Sequence, residues 1–211
     1  VGSGFFPDVG ATYALPRLPG ETGMYIALTG ERIRRADAVL LGLVTHAVDS
    51  GRMGEVRETL IAGTPVEEAL AAASADPGPA PLAAHRELID SCFSAESVPA
   101  ILRRLDEAAG KGSDYAGSLA ATIRTKSPTS LSIAYEQVRR GRSLDFVEAM
   151  RTEFRIVSRI IDGHDFYEGV RATLVDKDGA PHWRPATLGD LDPATVEGYF
   201  GTLGADELEI A

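Results

Sequence analysis

One carboxylate near the start of the chain, Asp8, has neighbours that can make it chemically useful. Two aromatic residues and a proline (Phe5, Phe6 and Pro7) precede it, and Gly10 follows closely. Because Pro7 lacks an amide donor and restricts Phe6 to extended geometry, Asp8 comes directly after an extended segment. An aromatic wall can desolvate a carboxylate and change its pKa, which suits acid–base chemistry. The same position also suits the N-cap of a helix, and both roles can hold together.

The segment that carries Asp8 is predicted to pass close to another part of the molecule. Gly2 and Gly4 precede the aromatic pair, and glycine lets a backbone approach another backbone or a ligand closely. A helix is expected to begin near residues 9–10, directly after Asp8, and Pro16 limits this short helical run.

Periodic apolar residues and capping residues predict that the rest of the chain is mainly helical. Ser97 and Ser127 are predicted N-caps, and the longest helix is expected to open at Ser143 and end at Gly163. Its apolar face is predicted to consist of Leu144, Val147, Phe154, Val157 and Ile161. The predicted helices cover residues 11–15, 19–28, 36–41, 52–62, 66–75, 82–93, 97–110, 115–124, 127–141, 143–163, 166–175 and 193–203.

One stretch of the chain has the pattern of a β-strand. Residues 43–48 alternate and contain β-branched side chains, so they are the best strand candidate. A lone strand cannot satisfy its backbone hydrogen bonds, so its partner must come from elsewhere. The Pro/Gly-rich residues 76–81 form the clearest linker, which predicts a first part over 1–76 and a helical second part over 82–211.

Composition excludes several classes of protein. A formal net charge of −10 argues against a nucleic-acid surface, and no apolar run approaches the roughly 20 residues of a membrane-spanning helix. The single cysteine, Cys92, excludes an internal disulfide framework and is predicted to be a small buried hydrophobe. Arginine far outnumbers lysine, and alanine and glycine are abundant. These features suggest a bacterial source with GC-rich coding and a cytoplasmic location.

The histidines do not form a metal-binding pattern. His46, His85, His164 and His182 lie far apart, without metal-ligand spacing. His46 is expected to be satisfied on the predicted strand, and His164 to interact with the last carbonyls of the helix that Gly163 ends. The chain also lacks a Gly-x-Ser-x-Gly elbow, a Walker-type phosphate loop and a dinucleotide fingerprint.

A series of motifs along nearly the whole chain resembles one enzyme family. It is similar to the 3-hydroxyisobutyryl-CoA hydrolase branch of the enoyl-CoA hydratase/isomerase (crotonase) superfamily. The motifs at 5–10, 127–131 and 164–172 are much more specific to that branch than the others. The motifs are Phe-Phe-Pro-Asp-Val-Gly (5–10), Leu-Pro-Arg-Leu (15–18), Leu-Thr-Gly (28–30), Gly-Leu-Val-Thr-His (42–46), Cys-Phe-Ser (92–94), Ser-Pro-Thr-Ser-Leu (127–131), Gly-His-Asp-Phe-Tyr-Glu-Gly-Val-Arg-Ala (163–172) and Asp-Lys-Asp (176–178).

The resemblance implies a fold and an activity. The chain would be the C-terminal part of a crotonase-like α/β fold, mainly α, with one or two short strands left from the core. The parent protein would hydrolyse a short branched hydroxyacyl-CoA thioester such as 3-hydroxyisobutyryl-CoA, a step of valine degradation. Two backbone amides of an oxyanion hole and a catalytic glutamate would lie in the missing N-terminal half. These residues alone would therefore be inactive.

The resemblance also implies roles for three residues. Asp8 would be catalytic, Phe6 would line the acyl pocket beside it, and Lys177 would reach a phosphate of CoA. No metal and no separate cofactor are expected, because coenzyme A is part of the substrate. The expected partners are an acyl-CoA and the N-terminal half of the same protein, with a homo-oligomer as a further option and no nucleic acid or membrane.

Two alternatives stay open. Enoyl-CoA hydratases and dienoyl-CoA isomerases share the superfamily. Hydratases usually have glycine where Asp8 stands, and the isomerases have an aspartate there but lack the Phe-Phe-Pro before it. The second alternative is a non-catalytic helical piece that binds CoA weakly or mediates assembly. Ala11 and Thr12 replace residues that are more often glycine in the hydrolases, which bears on the acyl group accepted.

Overall fold

A computed structural model describes residues 1–210, and α-helix dominates it. These residues form twelve α-helices, joined by short 3-10 turns and one π-helical turn. The prediction of a mainly helical chain is confirmed. The helices are α1 (Ala11–Ala14), α2 (Thr22–Thr29), α3 (Arg35–Leu40), α4 (Met53–Ile61), α5 (Val66–Ala73), α6 (Arg86–Phe93), α7 (Val98–Gly110), α8 (Asp114–Arg124), α9 (Pro128–Gly141), α10 (Phe146–Ile160), α11 (His164–Val170) and α12 (Pro193–Gly198).

The chain divides into two compact units. The first combines residues 1–31 with the residues from 88 onward, and the second spans residues 32–87. The Pro/Gly-rich linker at 76–81 lies within the second unit rather than between the two. The domain boundaries drawn from the sequence, 1–76 and 82–211, stay a prediction.

Helix α9 lies at the centre of the first unit. It packs against α1, α2, α7 and α12, and α1 also packs against α10. Apolar side chains of α9 and α10 (Ile133, Ile156 and Ile160) form one core cluster with Val196 and Phe200. Each such side chain contributes about 1.5–3 kcal/mol when fully buried.

Several helices begin at the capping side chains that were predicted from the sequence. The hydroxyl oxygen of Ser97 accepts a hydrogen bond from the Ala100 amide at 3.2 Å, and that of Ser127 accepts one from Ser130 at 3.1 Å. Helix α2 ends at Gly30, which adopts the left-handed conformation with φ 66°. These three predictions are confirmed.

Helix α10 begins later than predicted. Asp145, not Ser143, is its N-cap, because its carboxylate accepts a hydrogen bond from the Glu148 amide at 2.8 Å. The predicted apolar face was wrong by about one residue. The buried positions of α10 are Ala149, Thr152, Glu153, Ile156 and Ile160, so the face includes polar residues that a hydrophobic pattern does not reveal.

In the second unit, α3, α4 and α5 are joined by irregular segments. The predicted strand at 43–48 was wrong. Only Val48 pairs, in an isolated antiparallel bridge with Ser74, and the Ala75 amide donates to the Ala47 carbonyl at 2.8 Å. His46 therefore lies on no strand, and its Nδ1 is 2.9 Å from the Thr45 hydroxyl oxygen.

The remaining sequence expectations concern α11 and Cys92. Helix α10 ends at Ile160 and Gly163 is the N-cap of α11, so His164 belongs to the following helix and does not cap the preceding one. Its Nδ1 instead lies 3.1 Å from the Asp165 carboxylate. Cys92 is 3% exposed, as predicted, and burial raises the pKa of its thiol.

Candidate active site

The segment that leads to Asp8 lies directly on the backbone of α11. Gly4 has φ 68°, and a Cβ atom there would lie 2.0 Å from the Asp165 carbonyl oxygen. On the facing helix, a Cβ atom at Gly169 would lie 2.2 Å from the Ser3 carbonyl oxygen. Glycine on both sides therefore permits the close approach, as the glycine-rich sequence predicted.

The two aromatic residues before Asp8 anchor the segment to the core. Phe6 is 3% exposed and packs in the core cluster of α9, α10 and α12. Phe5 is half-buried, with its ring centroid 4.8 Å from that of Phe6 and 5.3 Å from that of Phe166. The structure thus gives Phe6 a packing role, and its predicted contact with an acyl chain stays a prediction.

Asp8 follows this anchored segment and is exposed to solvent. Its Oδ1 accepts a hydrogen bond from the Val9 amide at 2.6 Å. Among residues 1–210, no group donates a hydrogen bond to its Oδ2. One oxygen is therefore held by the backbone, while the other is available to an incoming group.

The N-cap role predicted for Asp8 was wrong. Gly10 is the N-cap of α1, with φ 87° and no side-chain cap, and the helix begins at Ala11, in agreement with the helical turn predicted over 11–15. The left-handed backbone at Val9 and Gly10 separates Asp8 from the helix. The Asp8 carboxylate consequently bonds the neighbouring amide and not one in the first turn.

Val9 has an unusual backbone conformation for its residue type. Its φ is 60° and its side chain is 90% exposed. A β-branched residue at positive φ is strained, at a cost of about 1–3 kcal/mol. Such strain persists only where surrounding contacts enforce it, and it is concentrated at functional sites.

Two buried polar side chains supply those contacts, and neither was predicted from the sequence. Glu153 of α10 is 2% exposed and accepts hydrogen bonds from the Gly10 and Thr12 amides at 2.9 and 2.8 Å. Gln137 of α9 is fully buried, and its Nε2 donates to the Pro7 carbonyl oxygen and the Thr12 hydroxyl oxygen, both at 2.6 Å. No local signal in the sequence marked Glu153, because the apolar face predicted for α10 was shifted by about one residue and left Glu153 on the polar side.

Lys177 lies in a different element from Asp8 and Phe6. It follows the π-helical turn (Arg171–Val175), is exposed, and has φ 57°. Its neighbours Asp176 and Asp178 both pair with Arg171, at 2.7 and 2.6 Å. These pairs fix the loop on both sides of Lys177 and leave its own side chain in solvent. Its predicted contact with a phosphate stays a prediction.

Arg171 and Glu168 form the most strongly perturbed ion pair near this loop. The hydrogen bond from Arg171 lowers the pKa of Glu168 to about 2, with a further contribution from the His182 amide. Hydrogen bonds to Glu168, Asp178 and Asp176 raise the pKa of Arg171 well above its usual range. The cluster is therefore charged at every physiological pH and serves to hold the loop rather than to transfer protons.

Residues 1–210 contain neither a metal-binding cluster nor a membrane-spanning helix. No group of three or more histidine, cysteine, aspartate or glutamate side chains in that range converges as a metal would require. No described helix combines the length and apolarity needed to cross a bilayer.

Comparison with known proteins identifies the family. The family model described as enoyl-CoA hydratase/isomerase matches residues 1–200, almost all of the described chain. The chain belongs to the enoyl-CoA hydratase/isomerase family. The resemblance drawn from the motifs is therefore confirmed.

Curated relatives within this family are similar over the whole chain. The mitochondrial 3-hydroxyisobutyryl-CoA hydrolases of Xenopus tropicalis and Homo sapiens are 38% and 37% identical to it over 217 and 216 residues. Each match covers 98% of this chain, but 56% and 55% of the respective relative. The chain thus spans about half the length of the curated relatives it matches.

Solved structures give the same fold with other activities in their names. A carnitinyl-CoA dehydratase from Mycobacterium thermoresistibile is 39% identical with a TM-score of 0.90, over 99% of this chain and 59% of its own. An enoyl-CoA hydratase from Rhodobacter sphaeroides is 28% identical with a TM-score of 0.85, over 98% and 59% of the two chains. The crotonase-like fold is therefore established.

Proposed function

We propose that the natural protein containing this chain hydrolyses the thioester of 3-hydroxyisobutyryl-CoA to 3-hydroxyisobutyrate and CoA. The observation that carries the proposal is the 36–38% identity to several curated 3-hydroxyisobutyryl-CoA hydrolases over at least 98% of the chain. Those alignments leave at most a few residues of this chain unmatched. The reaction belongs to valine degradation, and the acyl-CoA is the expected partner.

Asp8 is the group of this chain that acts on the substrate. Its Oδ1 is occupied by the Val9 amide, and its Oδ2 is available to accept a hydrogen bond from the 3-hydroxyl of the acyl group. The same oxygen can take up or return a proton beside the thioester carbonyl. General acid–base catalysis of this kind contributes about 10²–10⁴-fold to the rate.

The remaining catalytic groups are assigned by the family resemblance to residues outside this chain. Two backbone amides would form an oxyanion hole for the thioester carbonyl, each lowering the activation barrier by about 3–4 kcal/mol. A glutamate would act as nucleophile or general base. We therefore expect the 211 residues alone to be inactive.

Binding of the substrate would involve two further residues. Lys177 is a solvent-exposed cation that can reach a CoA phosphate. Phe6 would contact the acyl chain from its place in the core, beside the exposed Asp8. Coenzyme A enters as part of the substrate, so no separate cofactor is proposed.

A thiol-release assay tests the proposal. The natural protein, supplied with 3-hydroxyisobutyryl-CoA, should release CoA, and Asp8→Asn should lower kcat by about 100-fold or more. Asp145→Asn is the matched control, because asparagine caps a helix as well as aspartate does and Asp145 lies at the start of α10. Wild-type kcat in the Asp8 variant would reject the catalytic assignment.

A second candidate function is hydration or dehydration of an enoyl-CoA, with isomerisation of a dienoyl-CoA as a related option. The solved structure with 39% identity that bears the name carnitinyl-CoA dehydratase favours it. The two candidates differ in their products, because hydration leaves the thioester intact. The assay supplies an enoyl-CoA and records both the absorbance of its conjugated thioester and the release of free thiol. Loss of that absorbance without thiol release would identify the reaction as hydration and reject the hydrolase proposal.

The cellular location proposed for the natural protein is the cytoplasm of a bacterium. The arginine-rich composition and the single cysteine support it. The curated relatives are named mitochondrial, which makes the mitochondrion the competing location. Fractionation of the source cells with an antibody to the protein decides between the two compartments.

A homo-oligomer stays an option, and light scattering on the purified protein tests it.

A further inference from the structure

The turn formed by Asp8 and Val9 is held at both ends by buried side chains. Before the turn, the Pro7 carbonyl oxygen accepts from Gln137 Nε2 at 2.6 Å. After it, the Gly10 and Thr12 amides donate to the two oxygens of Glu153 at 2.9 and 2.8 Å. The anchors therefore bracket the two residues whose side chains are themselves exposed.

The chemistry of Glu153 matches the groups that it binds. The Gly10 amide contacts Oε2 and the Thr12 amide contacts Oε1, so each carboxylate oxygen accepts one hydrogen bond. Only a carboxylate offers acceptors at both positions, since a glutamine in the same place would direct a donor at one of the amides. Aspartate would be one methylene too short to reach the turn from α10.

Gln137 has an equally defined orientation. A carbonyl oxygen cannot donate, so the atom that faces Pro7 must be the amide nitrogen of Gln137. The same nitrogen also donates to the Thr12 hydroxyl, which links the two anchored sides of the turn. Gln137 lies on α9 and Glu153 on α10, so two core helices fix the turn independently.

Burying these two polar side chains carries a cost that their contacts must offset. Glu153 is 2% exposed and Gln137 is fully buried, among buried positions of α9 and α10 that are mostly apolar. A buried carboxylate or amide costs free energy unless it is hydrogen-bonded, and both side chains use their hydrogen bonds on the backbone of the turn. What the pair provides is a fixed backbone at the turn, including the strained φ of 60° at Val9.

We propose that Glu153, assisted by Gln137, is a positioning residue for Asp8. It holds the Asp8–Val9 turn so that the Val9 amide binds Oδ1 and Oδ2 faces the substrate. The inference rests on the proposed function, because it assigns Glu153 an effect on the reaction through Asp8. Small displacements of a catalytic group can cost up to about 100-fold in rate.

A double-mutant cycle in the natural protein tests the kinetic part. Thiol release from 3-hydroxyisobutyryl-CoA is measured for wild type, Glu153→Gln, Asp8→Asn and the double variant. We expect Glu153→Gln to lower kcat by about tenfold with little change in KM, and to have less than a twofold effect once Asp8 is replaced. Glu148→Gln, at a half-exposed position of the same helix, is the control and should leave kcat unchanged.

Amide hydrogen exchange tests the structural part without an activity assay. In Glu153→Gln, peptides covering residues 5–14 should exchange at least about tenfold faster, while peptides from α7 and α8 keep their wild-type rates. Gln137→Met, which removes the donor to Pro7, should have the same effects to a smaller degree. It serves as the second variant if Glu153→Gln does not fold.

Each result either supports or overturns the proposal. Equal losses of kcat from Glu153→Gln with and without Asp8 would overturn it, as would wild-type exchange rates over residues 5–14. If Asp8→Asn itself retains wild-type kcat, the role of Asp8 in the proposed function fails. The exchange rates then decide on their own whether Glu153 holds the turn.

Discussion

Gly4 and Val9 belong to the same short segment and both have positive φ, yet different forces hold them there. Gly4, with φ 68°, has no Cβ and adopts this conformation freely. Val9, with φ 60°, adopts it at a cost, so the neighbouring contacts of Glu153 and Gln137 must supply the difference. The aspartate between them is therefore placed by its surroundings and not by its own conformational preference.

A substitution at Gly4 is expected to separate steric contact from backbone strain. Gly4→Ala would place a Cβ atom 2.0 Å from the Asp165 carbonyl oxygen, so it should lower the free energy of unfolding by about 3 kcal/mol. Gly63 has φ 91°, and a Cβ atom there would have no neighbour within 4 Å, so Gly63→Ala should cost only about 1 kcal/mol. Urea unfolding of both variants measures the difference, and equal losses would show that the contact with α11 is unimportant.

At the scale of elements, a buried serine–aspartate pair joins the start of α9 to α11. Ser127 Oγ caps α9 and also donates to Asp165 Oδ2 at 2.6 Å. The second oxygen of Asp165 accepts from the Arg184 amide at 2.8 Å, which adds the loop before α12 to the same network. One carboxylate thus connects three segments that lie far apart in sequence.

Removing this serine should cost more than removing an ordinary helix cap. Ser127→Ala loses the cap and leaves a buried carboxylate oxygen without its donor, so we expect a loss of about 3 kcal/mol in unfolding free energy. Ser113 caps α8 in the same way, through the Ala116 amide at 3.3 Å, and its side chain has no carboxylate partner among the described residues. Ser113→Ala should therefore cost about 1 kcal/mol in the same denaturation experiment. Equal losses would contradict a special role for the pair.

The elements also show what the sequence could and could not predict. Caps at Ser97 and Ser127 were predictable because a hydroxyl bonds an amide only three residues away. The strand predicted at 43–48 does not form, because strand pairing depends on residues distant in sequence, and in this segment only Val48 pairs, with Ser74.

The candidate site shows the same limit. The motif around Asp8 located the segment, but the side chains that hold it come from Gln137 and Glu153, 125 and 141 residues after Thr12. Nothing local marks such partners, since a buried glutamate on α10 looks like an ordinary surface residue in the sequence. Only the packing of α1 against α9 and α10 reveals them.

For the molecule as a whole, acidity and ion pairing together set the response to pH. The chain carries a formal net charge of −10, and arginine partners lower the pKa of several of its carboxylates, including those of Asp106, Glu168 and Glu197. A carboxylate whose pKa is lowered in the folded state stabilises the fold at pH values above its pKa in the unfolded chain. That stabilisation disappears as the pH falls through the folded-state pKa. The protein should therefore lose stability on acidification.

Glu168 offers the clearest measurement of this effect. Arg171 and the His182 amide lower its pKa from an ordinary value of 4.5 to about 2 in the folded protein. The difference in Tm between wild type and Glu168→Gln should thus be constant above about pH 5.5 and narrow steadily as the pH falls from 4.5 toward 2. Glu68→Gln, at an exposed position of α5, removes the same formal charge and is the control. A Tm difference for Glu168→Gln that stays constant down to pH 2.5 would mean that the ion pair with Arg171 does not stabilise the folded protein.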